Sequence, residues 1–342
     1  MSAVESMRAG RWHGAGDVRI ERVGRPKPVG GQILVAVERV GLCGTDLEEF
    51  ARGPVDIPPH LRTGVTLGHE VTGRVVECPA GEVAVGTRVI PDVVRACGHC
   101  EWCRRHEPGL CDDLVVLGLQ ADGGLAEFML ADATTCIPVS ESVPLDSAVF
   151  AEPLSVAVRA IRKCGDLSGA DVAVIGLGTI GNLAVQVAAL HGVRTLIGID
   201  PVATRRAQAG ASIALHPGEV SGYLAGARRP DVVIECAGTS ASVVDALGLA
   251  TRGGTVVVIG TGAARMTLPM RAMVLTEKRL LGSAAHVWDV DVQAAVALLE
   301  RSLIDPLPLV DRVIELEAVV DDGFAPMERD STMGKVLIDP QT

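Results

Sequence analysis

Apolar and polar positions take turns along GQILVAVERV, residues 31 to 40, the period of a strand with one buried face. VTGRVVE and TRVIPDV add short β-rich runs, and Gly53-Pro54, Pro58-Pro59, Pro108-Gly109 and Gly123-Gly124 break the surrounding chain into turns. This N-terminal part predicts a compact, loop-rich, barrel-like unit that is mainly β. After Glu152-Pro153 the texture changes. VAVIG, TLIGID, DVVIECAG and TVVVIG are continuous β-branched runs, as parallel strands covered on both faces require. NLAVQVAALHG, between the first two, reads as a crossover helix. Such a βαβ series predicts a doubly wound α/β sheet with ligands at the carboxyl ends of its strands.

A chain of 342 residues exceeds the usual size of one domain, so two units are expected. With 48% hydrophobic but only 2% aromatic residues, the cores must be aliphatic. No window approaches the length of a membrane span, and MSAVESMRAGRWHG lacks a leader-like apolar run, so a cytoplasmic protein is expected. The net charge of −11 argues against a nucleic-acid partner. Its distribution is uneven. Residues 154 to 285 carry 13 Lys and Arg against 8 Asp and Glu, leaving 18 against 34 elsewhere, so the middle segment is the one suited to an anionic cofactor.

Gly176-Leu177-Gly178-Thr179-Ile180-Gly181 follows the strand VAVI and opens the helix. The spacing alone is weak in a chain with 39 glycines; its place between strand and helix fits a dinucleotide turn, with phosphates at the helix N-terminus. Asp200 closes the next strand, where a carboxylate accepts from the ribose hydroxyls and repels a 2′-phosphate, favouring NAD over NADP. Capping the segment after Pro201 is its other reading. Arg205 and Arg206 lie just beyond.

Cys97, Cys100, Cys103 and Cys111 fall within fifteen residues, and four thiolates complete a tetrahedral, structural zinc site in a reducing compartment. Cys43 in GLCGTD, His69-Glu70 in TLGHE and Glu152 in AEPL are weak zinc-ligand candidates singly.

Together CGTD, TLGHE, the four-cysteine lobe, GGLAEFML, AEPLSVAVRA, the glycine turn, ECAG, EKRLLGS and GKVLID make the chain resemble the zinc-containing medium-chain dehydrogenases, particularly the sorbitol and 2,3-butanediol dehydrogenase branch. The resemblance implies a GroES-like catalytic domain from both chain ends, residues 1 to 153 plus 286 to 342, with a Rossmann domain inserted at 154 to 285. It implies a catalytic zinc on Cys43 and His69, completed by Glu70, Glu152 or water. It gives Thr45 the substrate proton and Asp46 the orientation of His69. A nicotinamide at the interdomain cleft would take hydride from a secondary alcohol or polyol, and the assembly would be a homodimer or homotetramer. Two positions depart from the family: Glu48 replaces a proton-relaying histidine, so that either its carboxylate takes over the relay or Glu48 is a solvated surface residue and the proton leaves through water, and Arg159 stands where histidine is common. A zinc-free reductase or a non-catalytic binding protein on the same fold are the alternatives, and neither is favoured by these residues.

Overall fold

The computed structural model describes residues 5–62, 64–262 and 265–342; the first four residues of the N-terminal stretch MSAVESMRAGRWHG lie outside them. The chain forms two compact units, Met1–Glu152 with His286–Thr342, and Pro153–Ala285. Pro153, expected with the first unit, falls in the second.

In the first unit the largest sheet runs Cys136–Pro138, Arg88–Pro91, Glu70–Glu77, Gln32–Gly41, Lys335–Asp339, Val310–Glu315, and Phe128–Asp132 also pairs with Gln32–Gly41. The alternation in GQILVAVERV thus marks its most heavily paired strand. Val35, Val37, Val71, Val75 and Leu337 are fully or almost fully buried, and this apolar side fixes the register. Gly41 faces Glu70 on one side and Leu337 on the other. A Cβ at Gly41 would run into the Glu70 carboxylate, so the glycine makes room for a buried acid. The strand nearest the C-terminus is therefore internal to the sheet of the N-terminal segment.

The second unit holds a six-stranded parallel sheet in the order Ile213–Leu215, Thr195–Ile199, Asp171–Ile175, Val232–Glu235, Thr255–Val258, Arg279–Gly282. The four apolar runs are its central strands. The edge strands are short and partly exposed, which is why no apolar run announced them. Helix Thr179–Ala189 follows Asp171–Ile175 through the glycine turn and buries Leu183, Ala184, Val185, Val187 and Ala188. Among the described residues no helix is long and apolar enough to cross a membrane.

Candidate active site

Cys43 is the extended N-cap of helix Gly44–Arg52, and its amide donates to Asp46 Oδ2 at 3.0 Å. That hydrogen bond turns Asp46 inward, where it is completely buried. Asp46 Oδ1 stands 3.5 Å from His69 Nδ1 and accepts from the Gly68 amide at 3.4 Å. Burial would raise the Asp46 pKa, but the His69 ring and the two amides hold it below the ordinary carboxylate value. Burial would likewise lower the pKa of His69; Asp46 and then Cys43 overcome this and hold it well above normal. The cluster is therefore arranged to hold positive charge beside a thiol and an imidazole, the donor set and electrostatics that suit zinc. With Nδ1 turned to Asp46, Nε2 is the ring nitrogen left for a metal. Thr45 Oγ1 lies 3.7 Å from Cys43 Sγ.

Glu70 and Glu152 join this cluster in different ways. Glu70 is buried, and Lys335 Nζ donates to its two oxygens at 2.7 and 2.8 Å and to the Leu42 carbonyl at 3.0 Å. Burial raises the Glu70 pKa and Lys335 only partly offsets it. Glu152 lies in the first turn of helix Ala151–Cys164. Its Oε1 is 3.5 Å from His286 Nδ1, and His286 Nε2 meets Asp92 Oδ1 at 2.8 Å. Burial opposes ionisation of Glu152, but His286, His69 and Lys335 outweigh it and lower its pKa. Cys43, Thr45, Asp46, His69, Glu70 and Glu152 thus gather in the first unit. Their ligand atoms are not drawn as tightly as the four thiols described next, the only set of three or more such groups within 4.8 Å among the described residues.

Glu48 falls on helix Gly44–Arg52 and is half-buried. Its neighbour Glu49, which sequence reasoning passed over, is fully buried. It accepts from the Val55, Asp56 and Ile57 amides and so shapes the loop after the helix. Lys335 and His286 were missed as well. The one available signal was a lysine opening the apolar strand KVLID. Arg159 is buried in helix Ala151–Cys164.

Cys97, Cys100, Cys103 and Cys111 bring one sulfur each within 4.8 Å of all the others. The Cys97 amide points at Cys111 Sγ (3.2 Å) and the Cys100 amide at Cys97 Sγ (3.3 Å), the direction that stabilises thiolate. Backbone hydrogen bonds from Cys103 and Asp112 bring Cys100 down to about 6. The lobe around them is short of buried apolar side chains, with Cys111 the buried member of the four, so cross-linking by a metal would supply what burial does not.

In the second unit Gly176 has φ +84°, and a Cβ there would meet the Ala237 amide at 2.8 Å; one at Gly178 would meet nothing within 4 Å. A Cβ at Gly181 would strike the Gly176 carbonyl. The outer glycines permit the turn and the helix packing, while the middle one faces open space, where phosphate can approach. Gly178 caps helix Thr179–Ala189. A cavity of about 840 Å³ is lined by Gly176, Gly178, Asp200, Arg205 and Thr239 among others. Thr179 and Ile180 start the helix, half-buried, and are not part of this lining. Asp200 borders the cavity, and its oxygens accept from the Leu177 and Val202 amides, each at 2.7 Å; the N-cap of helix Ala203–Gln208 is Val202, not Asp200. Arg206 turns away to donate to the carbonyls of Asp200 and Pro201.

These two units match known proteins. Residues 30–141 fit the alcohol dehydrogenase GroES-like domain, and residues 179–301 the zinc-binding dehydrogenase family. L-idonate 5-dehydrogenase (NAD(P)(+)) of Escherichia coli strain K12 is 30% identical over 81% of this chain and 83% of its own. (R,R)-butanediol dehydrogenase of Neisseria gonorrhoeae is 30% identical over 98% and 99%. A structure from Sinorhizobium meliloti 1021 bound to NADP, of a chain assigned as a zinc-binding dehydrogenase, superposes with a TM-score of 0.89 at 31% identity, covering 98% of this chain and all of that one. The chain belongs to the zinc-dependent medium-chain alcohol dehydrogenase family, in the branch of the sorbitol and butanediol dehydrogenases. It is an alcohol or polyol oxidoreductase.

Proposed function

We propose that this protein interconverts a hydroxylated secondary alcohol and its ketone, with NAD as hydride acceptor and two zinc ions per chain, one catalytic and one structural. The gathering of Cys43 and His69 over a buried Asp46, with Glu70 and Glu152 alongside, carries the reading. Cys43, His69 and one of the two glutamates, or water in their place, would hold a zinc ion, which would supply a Lewis acid for the substrate oxygen. Asp46 holds the His69 ring in orientation. Thr45, beside the Cys43 sulfur, takes the hydroxyl proton onward, and Glu48, one turn further along the same helix, passes it to solvent. NAD, when bound, would supply the hydride acceptor for the carbinol carbon. Gly178 admits the pyrophosphate, and Asp200 accepts from the ribose hydroxyls and repels a 2′-phosphate. Arg205 borders the same cavity, so it is the residue to carry any residual use of NADP.

Four closely set thiols that hold zinc need a reducing compartment, and the cytoplasm is the proposed location. The edge strand Arg279–Gly282 has one neighbour, and Met270, Val274, Leu275 and Leu281 are exposed on or near it in sequence. We assign this edge to a second copy of the chain in a homodimer or homotetramer.

The test combines metal analysis with a screen of secondary alcohols, polyols and ketones read by NADH absorbance. Two zinc ions per chain are expected. Cys43→Ser and His69→Ala should each abolish turnover while leaving NAD binding nearly intact. Wild-type turnover in either folded variant would overturn the proposal in favour of a zinc-free reductase, and absence of any turnover with two zinc bound in favour of a binding protein.

A further inference from the structure

Glu235, which opens the ECAG run, is completely buried at the carboxyl end of Val232–Glu235. The sheet grows outward in one direction from Asp171–Ile175 and in the other from Val232–Glu235, so Glu235 stands at the reversal of strand order where a doubly wound sheet takes its ligand. Its Oε1 accepts from the Ala237 amide at 2.8 Å, the Gly238 amide at 2.9 Å and Ser242 Oγ at 2.7 Å. Ser242 Oγ in turn accepts at 3.1 Å from the amide of Thr239, the N-cap of helix Ser240–Leu249. One oxygen therefore holds the whole passage from strand to helix, and Cys236, Ala237, Thr239 and Ser242 of that passage line the cavity of about 840 Å³. The turn has no slack on either side. A Cβ at Gly176 would meet the Ala237 amide at 2.8 Å, and one at Gly260 would run into the Gly238 amide. The loops after Asp171–Ile175, Val232–Glu235 and Thr255–Val258 thus touch backbone to backbone, with Glu235 holding the middle one. Its other oxygen, Oε2, is buried with no hydrogen-bond partner among the described residues. Leaving a buried acceptor unpaired lowers stability, so folding alone does not account for a carboxylate at this place.

We infer that Glu235 is a positioning residue for the dinucleotide: by holding the Cys236–Thr239 turn between the glycine turn and the loop of Gly260, it sets the wall against which the cofactor lies. The inference rests on the reading of this cavity as the nucleotide site. Without the carboxylate, the Ala237 and Gly238 amides would be left without an acceptor and would turn toward water. They can move only against Gly176 or Gly260, so the displacement passes to the glycine turn that faces the phosphates.

The experiment measures NADH binding to the full-length, zinc-loaded protein by nicotinamide fluorescence, beside urea unfolding of the same samples. Glu235→Ala should raise the Kd for NADH by about 10- to 100-fold, the loss of hydrogen bonds to a charged acceptor. Glu235→Gln, whose amide oxygen can still accept from the three donors, should recover most of that affinity. Gly260→Ala disturbs the same turn without touching the carboxylate; it should act in the same direction, and it carries the test if Glu235→Ala does not fold. In the Glu235→Ala background, Ser242→Ala should have no further effect on the Kd, because the two act through one contact. A wild-type Kd in folded Glu235→Ala, or in Gly260→Ala where that stands in, would make the role purely structural whatever the urea midpoint, and would overturn the inference. Additive losses from Glu235→Ala and Ser242→Ala would overturn it too. Failure of the wild-type protein to bind either NADH or NADPH would instead overturn the nucleotide reading beneath it, so the two failures are distinguishable.

Discussion

Lys335 reaches across 265 positions of sequence to place its ammonium between the two oxygens of Glu70, at 2.7 and 2.8 Å. Both groups are buried, so neither charge has water to fall back on. Lys335→Met should destabilise the first unit by about 3 to 5 kcal/mol by stranding a carboxylate. The double variant Glu70→Gln/Lys335→Met should recover most of that loss. Urea unfolding of wild type and the two variants checks this. Equal midpoints for Lys335→Met and wild type would show that the pair is not coupled.

The four-cysteine lobe should report on stability more than on chemistry. Cys100→Ser or Cys103→Ser is expected to release one zinc per chain, lower the melting temperature and reduce solubility, while turnover per folded molecule changes far less. Atomic absorption alongside thermal melts decides it. Unchanged metal content and melting temperature would mean that these sulfurs hold no ion.

Asp200 carries two loads, and its substitution should show both. Loss of the acceptor for the ribose should weaken NAD by about 10- to 100-fold, the equivalent of a hydrogen bond to a charged group, and relax discrimination against NADP. Loss of the hydrogen bonds from the Leu177 and Val202 amides should also loosen the glycine turn and lower stability by about 1 kcal/mol. Asp200→Ser, assayed for both cofactors and for unfolding, separates the two effects. A wild-type preference for NADP would contradict the cofactor assignment.

At the far end of the same sheet Asp171 gives a pH signature. The Arg194 hydrogen bonds hold its carboxyl below the ordinary value; burial opposes them, and Thr195 and Arg228 add to them. A carboxyl depressed in the folded state contributes stability above its unfolded value, about 3.9, and that contribution is lost as pH falls through the folded value. Arg194 is about half exposed, 46%, so the contribution is no more than about 1 kcal/mol. Arg194→Gln should therefore lower the urea midpoint of the second unit at pH 7, and its gap to wild type should close below about pH 4. A gap that does not change with pH would remove the ion pair as its cause.

What was legible in the sequence was whatever repeats at short range. The alternation of GQILVAVERV, the uncharged central strands and the close cysteines each reflect local backbone geometry or ligand spacing. Glu152 and the TLGHE pair became readable only through family resemblance, because their meaning depends on contacts far along the chain. His286 had no local sign, and Lys335 only an ambiguous one. A lysine opening an apolar strand looks like an edge position until the strand is found inside the sheet, and a single histidine acquires a role only from Asp92 and Glu152. Asp200 shows the middle case: its place at the end of a strand was readable, but the hydrogen bonds that tie its carboxylate to the Leu177 and Val202 amides were not.

The internal position of Lys335–Asp339, between Gln32–Gly41 and Val310–Glu315, sets an order of events during synthesis. The second unit is one uninterrupted segment, Pro153–Ala285, and can fold while the chain is still growing. The first cannot close its sheet until the last strand leaves the ribosome. At about 5 to 20 residues per second, the 265 positions from Glu70 to Lys335 take roughly 13 to 50 seconds to make. For that interval the nascent chain carries the acid without its counter-charge. A chain cut short before Lys335 would thus present a folded second unit beside a first unit whose largest sheet is still open and whose buried acid is unpaired.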